Sequence, residues 1–210
     1  MNKETGKPSF PIWLIGDSNP KNWQDILEYP LDSKHPARHN IWTSVLEVIQ
    51  RNLFEQCGKI FNVESIYIRN AIESPSSKPK GDTLDWNQTV INKIEEFKDL
   101  IELYKPPIII TFGAFAFEFS RRTESNSKNK NFGYWGAEKL GNEFRTRTDN
   151  FDIKTSNIIP LLHTSISRGF FLESHEYFTK SKTENYFEYT GKIIAALLLK
   201  HKNELNIWYN

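Results

Sequence analysis

Four short apolar runs constrain the fold of this chain more than any other feature: "PIWLIG" (11–16), "SIYIRN" (65–70), "PPIIITFG" (106–113) and "NIIPLLH" (157–163). Continuous, isoleucine-rich runs of this length suit strands covered on both faces, because a half-exposed strand would alternate polar and apolar residues. Helical patterns lie between them. Ile41, Val45, Ile49 and Leu53 recur every fourth residue, and Trp86, Val90, Ile94, Phe97, Ile101 and Tyr104 keep a three-four spacing on one helix face. Asp85 is placed to cap the second helix and Pro106–Pro107 to stop it. Strand and helix in alternation predict an α/β domain of three layers, α/β/α, around a central four-stranded parallel sheet. The 210 residues suit a single domain, 1–210, with its core at about 11–200.

Two polar stretches, "IESPSSKPKGD" (72–82) and "TESNSKNKNFGYWG" (123–136), read as long loops, and "NELNIWYN" at the end as a short docked tail. The apolar run "IIAALLL" is far short of the ~20 residues that span a bilayer, so no membrane is expected. A single cysteine, Cys57, forms no internal disulfide, and "MNKETGKPSF" has no apolar core of a secretion signal, so a cytoplasmic protein is expected. Next to Gly58 at a predicted helix end, Cys57 reads as a structural thiol. The net charge of +1 argues against nonspecific coating of nucleic acid. It leaves room for a local basic groove, with candidates Arg121, Arg122, Lys128 and Lys130, Lys78 and Lys80, and Arg145 and Arg147. Most such clusters are solvated loops.

Open parallel sheets bind ligands at the carboxyl ends of their strands. Here those ends carry "GDSNP", Asn70, "FGAFA" and "HTSISR". The chain has no GxGxxG, no GxxxxGK[ST], no HExxH and no paired CxxC, and His35 and His39 in "HPARH" read as a loop entering a helix, so no metal or cofactor is expected. What remains is amide, carboxylate and imidazole. Asn70 offers an acceptor and donors side by side, as the edge of a nucleobase requires. His163 can donate to an oxygen that turns negative during bond cleavage, and Asp17 or Asn19 can orient a water. Each residue has a plainer reading: Asn70 as a turn former, Asp17 to Pro20 as a strand-to-loop turn. Their joint appearance after successive strands favours a site.

These motifs, in this order, resemble those of the uracil-DNA glycosylase superfamily. "IGDSNP" looks like the first-strand motif G-x-N-P, "HPARHNIW" like the proline loop and helix that follow, and "IYIRN" like the strand ending in a base-reading asparagine. "DWNQTVINKI", "IIITFGAFA" and "HTSISRGFF" are similar to the remaining motifs, so the likeness spans residues 11 to about 178. It implies a DNA glycosylase of base excision repair that flips a uracil or related damaged pyrimidine out of DNA and hydrolyses its N-glycosidic bond. By the resemblance Asn19, with Asp17 as the alternative, positions the water; Asn70 reads the base edge; and His163 stabilises the leaving anion. Tyr29, with Trp23 behind it, is the stacking aromatic, and Gly16 and Pro20 shape the base site. Pro36, Gly113, Ser165, Ile166 and Arg168 meet the DNA backbone, Ile166 as the wedge. The implied protein is a monomer acting on DNA, single-stranded or mismatched, without metal or cofactor.

The chain departs from that pattern in four places. "GDSNP" has one residue more than the usual spacing, Lys21 stands where a tyrosine follows the proline, Thr164 replaces a proline, and the wedge segment before "RGFF" is about three residues short. A short wedge makes extrusion from intact duplex harder, so single strands or mismatches are the expected substrates. The alternative expectation is a catalytically eroded module of the same fold that binds nucleic acid or a protein partner.

Overall fold

The computed structural model describes residues 4–18, 43–163, 167 and 172–209, with only the backbone of Thr43 and Leu172. It is an α/β structure. The strands are β1 (Ile12–Ser18), β2 (Ile66–Ile72), β3 (Ile108–Phe112) and β4 (Asn157–Leu161), all parallel, in the order β2-β1-β3-β4. Each lies within two residues of an apolar run in the sequence, save that β1 and β2 extend two residues beyond theirs. Ile12 to Gly16 and all of β3 are buried, as expected of β-branched strands covered on both faces.

Helix α1 (Thr43–Cys57) follows β1, and α2 (Gln88–Tyr104) follows β2. Asn87 caps α2, its side-chain oxygen accepting from the Val90 amide at 3.1 Å; this corrects the expectation that Asp85 would do so. The reason is local. The Trp86 indole donates to the Thr83 carbonyl at 3.2 Å, which keeps the turn outside the helix through Trp86. The far end of α2 stops at Lys105, left-handed at φ 48°, just before the two prolines.

Helices α3 (Ala114–Arg121) and α4 (Ala137–Asp149) separate β3 from β4, and α5 (Leu172–Thr179) and α6 (Tyr186–Lys200) follow it. They form two groups: α2 packs with α3, while α1, α4 and α5 pack with α6. Under α2 and α3 runs an aromatic chain, Tyr67–Trp13–Phe97–Phe119, with ring centres 5.0, 5.8 and 5.5 Å apart. Each such ring removed from water contributes about 1.5–3 kcal/mol. In the other group Gly191 of α6 lets α1 approach closely, since a β-carbon there would lie 2.4 Å from Val48.

The loop reading of 72–82 and 123–136 holds except for Ile72, which ends β2, and single 3-10 turns at Pro75–Ser77 and Phe132–Tyr134. The tail docks as expected, Trp208 bridging to Phe61 with Leu205 and Ile207 buried. Cys57 is exposed, its thiol donating to the Leu53 carbonyl at 3.2 Å, so it is not a buried core thiol. Among the described residues no helix is long and apolar enough to cross a membrane.

Candidate functional site

The strand order makes the boundary between β1 and β3 the place where the chain reverses direction across the sheet. Crossovers to opposite sides leave a crevice at the carboxyl edge there. The described residues at that edge are Gly16 and Asp17 of β1, Asn70 of β2, Gly113 after β3 and His163 after β4.

Asn70 is level with Gly16 in the parallel ladder. Its side-chain oxygen occupies the space above the glycine, 2.0 Å from where a β-carbon would stand. Only glycine at position 16 leaves the amide there. Side chains alternate across a strand, so Asp17, the next residue, leaves on the other face. Asn70 and Asp17 thus flank the carboxyl end of β1 from its two sides.

Asp17 forms an ion pair through Oδ2 with the ammonium of Lys78, which reaches in from the loop after β2. Its other oxygen, Oδ1, is shielded from solvent and has no hydrogen-bond partner among the described residues. A buried carboxylate oxygen in that state is a strong acceptor for a water or a ligand donor. Lys78 is itself held between aromatic rings, its nitrogen 5.0 Å from the centres of both Phe115 and Phe132. Contact with two ring faces fixes the ammonium beside the carboxylate.

His163 completes the group. Gly113, at φ +90°, lies directly against it: a β-carbon on Gly113 would sit 2.8 Å from that of the histidine. Gly113 also donates its amide to the Leu161 carbonyl at 2.8 Å, so β3 and β4 stay paired up to the histidine. The Ser167 amide donates to the His163 carbonyl at 2.9 Å, and the Leu162 amide donates to the buried Tyr186 hydroxyl at 2.8 Å. Burial pushes the His163 pKa below its ordinary value; the Asp17 charge works against this and the Lys78 charge adds to it. At neutral pH the ring is therefore uncharged, able to donate one hydrogen bond and accept another.

The structure thus gathers Asp17, His163, Gly113, Gly16 and Asn70 at one edge of the sheet. Asn19, Pro20, Trp23, Tyr29, Pro36, Ser165, Ile166 and Arg168, together with His35 and His39, lie outside the described residues. Among the described residues no group of three or more acidic, histidine or cysteine side chains is placed to hold a metal.

Lys78 is the residue the sequence left out of the site. It stood as a phosphate candidate; the structure pairs it with Asp17 instead. The other basic candidates separate by type. Arg121 and Arg122 are bound to buried Glu118, Arg145 to Asn142 and the Phe178 carbonyl, and Arg147 to Glu124 and Glu143. Lys80 and Lys128 are exposed, and Lys130 is partly so.

A scan against models of protein families finds no family that matches this chain, and a search of curated proteins finds no matching relative.

Proposed function

We propose that the chain is a DNA glycosylase that hydrolyses the N-glycosidic bond of uracil or a related damaged pyrimidine. The observation that carries this reading is the unpartnered Asp17 oxygen at the same carboxyl edge of the sheet as His163 and Asn70. In the proposed reaction Asp17 Oδ1 takes a proton from a water whose oxygen bonds to C1′ of the sugar. The C1′–N bond breaks, and its electron pair leaves with the base. His163 donates to the base oxygen on which that negative charge collects. Asn70 supplies paired donor and acceptor to the base edge. The Asp17 carboxylate also faces the positive charge that develops on the sugar, a role for which the neutral amide of Asn19 is less suited.

One observation favours a second reading, a nucleic-acid-binding module without catalysis. The Lys78 ammonium holds one Asp17 oxygen and offsets its charge, which weakens the carboxylate's support for a sugar cation.

The deciding experiment offers oligonucleotides carrying uracil, 5-hydroxymethyluracil, thymine opposite guanine, or hypoxanthine, and then cleaves abasic sites with alkali. Scission by the wild type that is lost in Asp17→Asn and His163→Ala supports the glycosylase. Binding without scission on every substrate supports the module.

A further inference from the structure

On the far side of the Phe132–Tyr134 turn from Lys78 lies a second cleft, of about 1050 Å3, between the loop 122–136 and α4. Its framework is a buried carboxylate. Glu118 on α3, with no solvent exposure, accepts from Arg121 at 2.8 and 2.9 Å, from Arg122 at 3.0 Å, from the Trp135 indole at 2.8 Å and from the Lys130 amide at 2.7 Å. The same two guanidiniums donate onward to the carbonyls of Lys128 at 2.6 Å and Lys130 at 2.7 Å. A polar loop that would otherwise wander is thereby fixed by both ends of its charged network.

The arginines are consumed in this bracing, and the lysines are not. Lys128, Lys130 and Lys139 line the cleft, and none of them is ion-paired to an acidic side chain among the described residues. The cleft's own carboxylates, Glu124 and Glu143, are both bound by Arg147, at 2.6 and 2.9 Å. Glu118 with its two arginines carries one net positive charge and the Arg147 trio one net negative, so the three lysines set the sign of the cleft. Between two of them stands Tyr134, 39% exposed, with the ammonium groups of Lys130 and Lys139 at 5.0 and 3.3 Å from its ring centre.

We propose that this cleft binds a single-stranded nucleic acid, its phosphates at Lys128, Lys130 and Lys139 and a base on Tyr134. A basic groove with an interleaved aromatic is how proteins track a strand without reading its sequence. An acidic peptide would also meet the lysines, but it offers no flat ring to take the place of the Lys139 ammonium on Tyr134. Because Glu118 organises the loop in the free protein, binding need not order it, which favours affinity. The inference goes beyond the proposed glycosylase and does not depend on it. The wall between cleft and catalytic edge is one turn: Phe132 touches Lys78, Tyr134 lines the cleft, and the Gly133 amide between them donates to the Gly81 carbonyl at 2.8 Å.

The test measures fluorescence anisotropy of an undamaged, labelled thymidine oligonucleotide longer than the ~4–16 nucleotides such grooves occupy, across a salt series. Three phosphate contacts predict a slope of log affinity against log salt of about −2, each lysine contributing about 0.7. Lys128→Ala, Lys130→Ala and Lys139→Ala combined should flatten it by about 2, and Tyr134→Ala should weaken binding about fivefold or more. An unchanged slope in the triple variant overturns the proposal. So does tighter lysine-dependent binding of a duplex, or displacement of the strand by polyglutamate as effectively as by unlabelled oligonucleotide. The probe holds no uracil and no thymine opposite guanine, so this result and the scission result stand apart.

Discussion

The side-chain oxygen of Asn70 lies 2.0 Å from the point where a β-carbon on Gly16 would stand, so the position of the amide depends on the absence of a side chain one strand away. Gly16→Ala must rotate the Asn70 side chain out of that place, while the buried Ile12–Ile15 segment of the same strand is untouched. Loss of one positioned hydrogen-bonding group costs a factor of about 10²–10³ in turnover where it acts on the transition state. Under the proposed function, strand scission should fall by about that factor in Gly16→Ala and in Asn70→Ala alike. Equal activity of Gly16→Ala and wild type would detach the amide from the chemistry.

Gly113 holds a second such dependence. Its φ of +90° belongs to the region that disfavours side chains, and a β-carbon would meet that of His163 at 2.8 Å. Gly113→Ala should cost about 1–3 kcal/mol from backbone strain, with the contact adding to it. Urea denaturation reads the stability. The imidazole chemical shifts of His163 should move in the same variant, because the ring is displaced along with the backbone.

Lys78 couples the carboxylate to the histidine. In Lys78→Met the cation that lowers the His163 pKa is gone and the Asp17 charge that raises it remains, so the pKa should rise. Titration of the imidazole by NMR checks the direction. Stability follows with a definite sign. The folded pKa lies below the unfolded value of about 6.5, so in the interval between them the unfolded chain binds a proton that the native one does not. Native stability is therefore full above about pH 6.5, is lost as the pH falls through the unfolded value, and levels off below the folded one. Lys78→Met narrows that interval, and its acid loss of stability should be smaller than that of the wild type.

The sheet was legible because its strands are continuous isoleucine runs, and burial on both faces leaves such runs few other structures. Their parallel arrangement then brings the residues after each strand to one edge, which is why Asp17, Asn70 and His163 stand out in the sequence. The pairing of Lys78 with Asp17 had no local sign. It spans 61 residues and depends on where an irregular loop comes to rest. Helix α4 left little apolar trace, since it buries only Leu140, Gly141, Phe144 and Thr148. The basic cluster divides for a chemical reason: counting charges treats arginine and lysine alike, whereas the forked guanidiniums of Arg121 and Arg122 fit a carboxylate and carbonyls inside the protein and the lysines do not.

Glu118 is where that distinction can be measured. One buried carboxylate receives three guanidinium bonds, an indole and a backbone amide. Removing one partner of a buried charged network leaves the others uncompensated, at a cost of about 3–5 kcal/mol. Glu118→Gln keeps the shape but loses the charge and replaces one acceptor by a donor, so it should destabilise the chain by an amount in that range. Arg121→Lys should cost less, because an ammonium retains the charge but cannot reach both carboxylate oxygens and the Lys128 carbonyl together. Amide hydrogen exchange provides the local readout. Protection of the Lys130 amide should fall in both variants, while that of the β1 amides follows only the global stability. A Glu118→Gln protein with wild-type denaturation midpoint and unchanged exchange at Lys130 would mean that the loop holds its shape without the carboxylate.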